Sequence, residues 1–234
     1  MKVFAISDPH LSFDTNKPMD IFGERWTGHW EEICADWKAR VADTDVVLIA
    51  GDISWAMKPE EARRDLEAIS KNCGTKILIR GNHDYWWQSY GKVNELLNGL
   101  GGMKAIQNNA IEIGDYIFCG TRGWFSAERG QILKDEDQKI YDREAIRLRL
   151  ALSDAKKLQA KSGHEIIALM HYPPFNNSFE PTPYTNLFSE FGVKTVVFGH
   201  IHGRAKYPAE IKIDGTRYLL TSCDYLCNKL KEII

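Results

Sequence analysis

The sequence has no apolar run approaching the roughly 18 residues that a membrane-crossing helix needs. Its N-terminal stretch, Met1-Lys2-Val3-Phe4-Ala5-Ile6-Ser7, turns polar at Asp8 and is too short for the core of a signal peptide. Cysteine is sparse: Cys34, Cys73, Cys119, Cys223 and Cys227 are odd in number, widely scattered, and form neither a disulfide framework nor a CxxC zinc pair. A reduced, cytoplasmic chain is the expectation from these absences. Charge of one sign is lacking too. Thirty Lys and Arg stand against 32 Asp and Glu, a formal net charge of -2, which removes any whole-surface argument for nucleic acid or an anionic membrane. Nucleic acid is therefore not indicated by charge, and only a local basic pocket is left open. There is no internal repeat, low-complexity tract or long linker, so residues 1–234 read as one domain.

What is present is ordinary globular sequence, 44% apolar and 26% charged, in a chain long enough to bury a large core without disulfides. Short apolar runs recur at Lys2 to Ile6, Asp45 to Ala50, Thr75 to Ile79, Glu165 to Met170 and Lys194 to Phe198. Such continuous runs suit strands covered on both faces. Between them lie helical stripes: Trp30, Ile33, Cys34, Trp37 and Val41; Ala62, Leu66 and Ile69 after a Pro59-Glu60-Glu61 first turn; and Ala145, Leu148, Leu152, Ala155 and Leu158. Gly114-Asp115 and Asp214-Gly215 sit between strand-like segments and predict hairpins. The expectation is an α/β layered sandwich with mixed sheets. Residues 13–27, 122–137 and 173–184 are the least patterned and predict loops over a site.

The chemistry gathers where these strands end. The first is followed by Asp8-Pro9-His10, the second by Gly51-Asp52, the third by Gly81-Asn82-His83-Asp84, the fourth by His171, and the fifth by Gly199-His200-Ile201-His202. In open α/β sheets the C-terminal strand edge is where sites form. Imidazoles mixed with carboxylate and amide oxygens favour borderline divalent ions, and a carboxylate with two oxygens is a natural bridge between two of them.

In this order, DxH, GD, GNH[DE], a lone His and GHxH resemble the calcineurin-like metallophosphoesterase superfamily, with all five blocks intact between Asp8 and His202. The resemblance implies a four-layer α/β/β/α sandwich with two mixed sheets. It implies that Asp8, His10 and His202 bind one metal, that Asn82, His171 and His200 bind a second, and that Asp52 bridges both, the metals being manganese, iron or zinc. His83 resembles the catalytic histidine. The activity implied is binuclear phosphohydrolysis of a small-molecule phosphate ester, diester or monoester, by in-line attack of a metal-bridging hydroxide. A nuclease of the same superfamily and a non-catalytic metal-binding scaffold are the alternatives; no ligand position is missing, which argues against the scaffold. Gly51-Asp52-Ile53-Ser54-Trp55-Ala56-Met57 departs from the GDxxDRG of the protein serine/threonine phosphatases, so that subgroup is not expected and the group that orients His83 is left open. Asp84 is the adjacent candidate.

Arg80, Arg122 and Arg204 invite a phosphate-clamping role, since guanidinium matches phosphate oxygens in pairs, and Arg204, two residues beyond His202, is the preferred one. Trp55, Tyr85, Trp86, Trp87, Trp124, Phe125 and Tyr172 crowd the motif loops, either as a wall that stacks a planar group or as packing under the sheet edge. His29 and His164 match no block and are expected to be ordinary surface residues. The charge-dense helix around 142–159 reads as a solvated face.

Overall fold

The computed structural model describes residues 1–203 and 207–234, so Arg204 lies outside the described residues. In chain order the elements are β1 (Val3–Ile6), α1 (His29–Arg40), β2 (Val46–Ile49), α2 (Pro59–Ser70), β3 (Thr75–Leu78), α3 (Tyr90–Asn98), β4 (Met103–Ala105), β5 (Ala110–Ile113), β6 (Tyr116–Thr121), α4 (Asp135–Ser162), β7 (Glu165–Met170), α5 (Pro183–Glu190), β8 (Thr195–Phe198), β9 (Glu210–Ile213), β10 (Thr216–Leu220) and β11 (Lys231–Glu232). One sheet has the order β11-β1-β2-β3-β4 and the other β5-β6-β7-β8-β10-β9. β1 to β4 run parallel, as do β6, β7, β8 and β10, while β11, β5 and β9 are antiparallel edges.

Strand alternation explains the layers. Val3, Ala5, Val46, Leu48 and Ile77 pack against Phe118, Ile167, Leu169, Val197 and Leu219, which fuses the two sheets face to face. The intervening residues Phe4, Ile6, Val47, Ile49 and Leu78 meet Ile33, Trp37, Leu66 and Ile69 of α1 and α2. On the other side Ile117, Ala168, Val196 and Tyr218 meet Leu148, Leu152 and Phe188 of α4 and α5. Because strand side chains alternate faces, each strand contributes to two cores, and this is why its run is apolar throughout. The result is the expected α/β/β/α sandwich.

Local chemistry fixes the boundaries. Glu61 Oε2 accepts from the amides of Met57 and Lys58 at 3.0 and 3.2 Å, and Pro59 occupies the first turn of α2, where its missing N–H costs nothing. Thr182 caps α5 by accepting from Thr185 N at 3.3 Å. Asp214 and Gly215 both take positive φ, 50° and 80°, as a two-residue primed hairpin turn requires. The unpatterned segment 13–27 contains two short 3-10 turns, Met19–Phe22 and Glu24–Trp26. No helix among the described residues is long and apolar enough to cross a membrane.

Candidate metal centre

The parallel strands of both sheets deliver their loops to one edge. There Ser7 N donates to Thr221 O, Asp8 N to Gly51 O, and Gly199 N to His171 O, so loops from both sheets are laced together by backbone hydrogen bonds. The glycines permit the close approach. A Cβ at Gly51 would lie 2.7 Å from His171 Nδ1, one at Gly81 would collide with the Asp52 carboxylate, and one at Gly199 with Ser7 and Asp8. Asp8, His10, Asp52 and His200 themselves take φ of 57°, 45°, 51° and 72°, the sparsely populated left-handed region. Each such residue costs on the order of 1–3 kcal/mol, a strain that the surrounding structure must over-determine and that concentrates at functional sites.

Two ligand-bearing groups result. Asp8, His10 and His202 present one donor atom each within 4.8 Å of one another, as do Asp8, Asp52 and His171. Asn82 and His200 join the second group: Asn82 Oδ1 lies 2.7 Å from His171 Nε2 and 2.9 Å from His200 Nδ1. All seven expected ligand positions are thus brought to one place.

The donor set fits cations. His171 Nδ1 lies 2.9 Å from the carbonyl of Ala50, to which it can only donate, and His202 Nδ1 lies 3.0 Å from Asp224 Oδ1. In the neutral ring with its proton placed there, as metal binding requires, Nε2 of each is a lone pair. His171 Nε2 faces two oxygens, of Asn82 and Asp52, and His202 Nε2 lies 3.4 Å from His10 Nε2. Lone pairs converging on lone pairs are repulsive unless a cation or protons lie between them. The N–H donated outward to a carbonyl or carboxylate is the usual support of a metal-binding imidazole. His10 Nδ1 is buried with no partner among the described residues.

Electrostatics among the protein's own groups follow from burial and from proximity. Burial raises the Asp8 carboxyl above its usual value against the pull of His171 and His202. Burial pushes His10 and His200 down to about 3. His171 rises to about 9, because Asp52 and Asp8 outweigh its burial, and the His171 charge holds Asp52 low in return.

His83 donates its backbone N–H to Asp52 Oδ1 at 2.8 Å, and its half-buried ring packs on Trp55 at 4.4 Å between centroids. Among the described residues no hydrogen bond joins the Asp84 carboxylate to the His83 ring. The Asp84 carboxylate is fully buried and accepts from Gly81 N (2.7 Å), Ile53 N (2.8 Å), Ser54 N (3.1 Å) and Trp86 Nε1 (2.9 Å), so it ties the GD loop to the GNHD loop. Burial, then repulsion from Asp52, raises it to about 6.

The aromatic residues divide between the two readings. Trp86 and Trp87 are buried packing under the edge, while Trp55 stacks on His10 at 4.8 Å and lines a cavity of about 880 Å³ with Met19, Phe22, Trp26 and His83. Trp26 contacts both His10 and His202 edge-on or tilted. Sequence reasoning assigned no role to Trp26 or to the Asp224 carboxylate. Asp224 follows the end of β10, so the strand-end rule would have found it. His29 is also corrected: its ring bridges the carbonyls of Pro9 (2.8 Å) and Trp26 (2.9 Å) behind the DxH loop. His164 pairs with Glu112 at 2.9 Å near the surface, as expected.

Sequence comparison agrees with this architecture. The calcineurin-like phosphoesterase family profile matches residues 1–204, and the chain belongs to that family, whose members are metal-dependent. Curated proteins yield no match. Among solved structures, the phosphopantetheinyl hydrolase PptH of Mycobacterium tuberculosis is similar at 14% identity, covering 100% of this chain and 95% of its own, with a TM-score of 0.59. A protein of unknown function, AQ665 of Aquifex aeolicus, is similar at 14% identity over 99% and 95% of the two chains, with a TM-score of 0.50. At that identity the likeness is one of fold.

Proposed function

We propose that this phosphoesterase is a binuclear, metal-dependent hydrolase of a small phosphate ester. Asp8, His10 and His202 hold one ion, Asn82, His171 and His200 the other, and Asp52 lies between them; manganese, iron and zinc suit the mixed nitrogen and oxygen donors. The observation that carries this reading is the convergence of the His171 and His202 lone pairs on neighbouring donors, each ring anchored by its outer N–H. When bound, such a pair of ions supplies a water acidified to near pH 7 and positive charge opposite the phosphoryl oxygens.

The protein's own groups do the rest. Asp8 keeps its geometry by accepting from Ser7 Oγ at 2.7 Å and His200 N at 3.0 Å. Asp224 holds His202 in one tautomer. The His83 ring at the cavity wall donates an N–H to the leaving oxygen. The cavity takes the leaving group, with the indoles of Trp26 and Trp55 excluding water from one side. Five free thiols suit the cytoplasm as its place of work.

Asp52→Asn tests this reading. Hydrolysis of bis(p-nitrophenyl) phosphate and p-nitrophenyl phosphate by the manganese-loaded protein is expected, and the variant loses both while its circular dichroism stays that of the parent. Equal turnover by parent and variant would contradict the reading.

A further inference from the structure

A second cavity, of about 230 Å³, opens where the ends of β3 and β6 meet α4. Its wall carries four guanidiniums, Arg80, Arg122, Arg143 and Arg147, and one carboxylate, Glu144. Glu144 is fully buried and already committed. Its Oε2 accepts from Thr121 Oγ1 at 2.7 Å and Gly123 N at 3.3 Å, and its Oε1 takes Arg147 Nη1 at 2.7 Å. Arg122 and Arg143 reach that carboxylate only at 4.0 Å, beyond hydrogen bonding. Arg80 Nε is buried and has no partner among the described residues. Three guanidiniums therefore share one small cavity without an anion of their own. Like charges so placed repel, and burial together with Arg80 and Arg143 lowers the Arg122 pKa despite Glu144. Trp124 steadies Arg122 with its ring 4.9 Å from the guanidinium carbon.

We propose that Arg80, Arg122 and Arg143 form a binding site for a phosphate group beside the metal centre. Guanidinium forks pair with tetrahedral oxyanions through two parallel N–H bonds, and the cavity has room for such a group but is small for a nucleoside. The site is joined to the centre through the backbone. Arg80 directly precedes Gly81-Asn82, and the Arg122 carbonyl accepts from His171 N at 3.1 Å and Tyr172 N at 3.0 Å. Its occupant is either a second phosphate of the substrate or a free phosphate that tunes the centre. Arg143 and Arg147, expected to lie on a solvated face, instead border this cavity.

The test is titration calorimetry of inorganic pyrophosphate into the full chain stripped of metal by a chelator, which keeps the experiment independent of hydrolysis. One equivalent binds, and Arg143→Ala, at a half-exposed position that folding tolerates, weakens binding at least tenfold. Arg143→Lys recovers part of the loss, and Arg149→Ala, on the outer face of the same helix, changes nothing. In the manganese-loaded protein a thymidine dinucleotide with a terminal 5′-phosphate separates the two sources. If the occupant belongs to the substrate, Arg143→Ala raises KM for that compound about tenfold against the same dinucleotide without the phosphate. If it is a free anion, added phosphate alters the rate on bis(p-nitrophenyl) phosphate without competing, and Arg143→Ala removes that response. No binding by the stripped parent, or equal affinity in parent and Arg143→Ala, would overturn the site while leaving the phosphohydrolase reading intact.

Discussion

His202 and His171 each place one ring nitrogen on an oxygen outside the site, at Asp224 and at Ala50, and thereby aim the other nitrogen inward. Outer hydrogen bonds of this kind are worth about 10–100-fold in metal affinity. Asp224→Asn is therefore expected to weaken manganese binding by that factor at unchanged fold, which competition with a fluorescent chelator measures. The role proposed for His83 rests on its N–H and not on ligation. His83→Ala is expected to keep its metal content and to lose roughly 10²–10⁴ in turnover, the range for a general acid, with the loss shrinking on substrates with good leaving groups. The gathering of Asp, Asn and His at one edge was legible in sequence because such residues at the ends of β1, β2, β3, β7 and β8 have no common structural reason to be there. Trp26, from an unpatterned loop, and the true partners of Asp84 were not, because side-chain partners distant in sequence depend on how the loops fold over the edge.

At the scale of elements, β1, β2, β3, β7 and β8 were legible as continuous apolar runs, and α1, α2 and α4 because their apolar spacing is sustained. α3, β4, α5 and β11 were not. β4 has three residues and β11 two, too few for a period, and α3 buries only Val93 and Leu97. Lys76 shows another limit. It lies in an apolar run and is nearly fully buried, yet its ammonium donates to the carbonyls of Ser70, Asn72 and Gly74 at 3.1, 2.6 and 2.9 Å, closing the end of α2. The loops at the site edge leave no room for a side chain at Gly81, while Gly91, exposed near the start of α3, has open space around it. Gly91→Ala is expected to stabilise by about 0.5 kcal/mol and Gly81→Ala to destabilise by at least 1–3 kcal/mol, read from urea midpoints. Asp45 accepts from Lys2 N at 2.7 Å and Ala42 N at 2.9 Å, tying the start of β1 to that of β2, and these bonds hold its pKa below the usual carboxylate value against burial. Its folded pKa lies below its unfolded one, so its contribution is present above about pH 4 and lost as pH falls further. Asp45→Asn should cost roughly 1 kcal/mol at pH 7, a difference from the parent that shrinks as pH falls below about 4.

The whole molecule is a device for bringing two sheet edges together. The apolar faces of the two sheets bury against each other, so a loop from β1 and one from β8 meet although almost 200 residues separate Asp8 from His200 (Δ = 192 along the chain). That closure was legible as a layered α/β class, whereas which loops touch follows from strand order, which no local pattern encodes. It also makes the proposed ions a stabilising element, since a site assembled from loops this far apart exists in the folded chain and not in the unfolded one. Removing them should lower the melting temperature. The most direct test of the account is metal stoichiometry by native mass spectrometry, following bis(p-nitrophenyl) phosphate hydrolysis in the same samples as manganese is returned to the stripped protein. The account predicts two ions per chain, with activity rising as the second binds. Undiminished hydrolysis by protein holding no detectable metal, or saturation at a single ion with full activity, would contradict it.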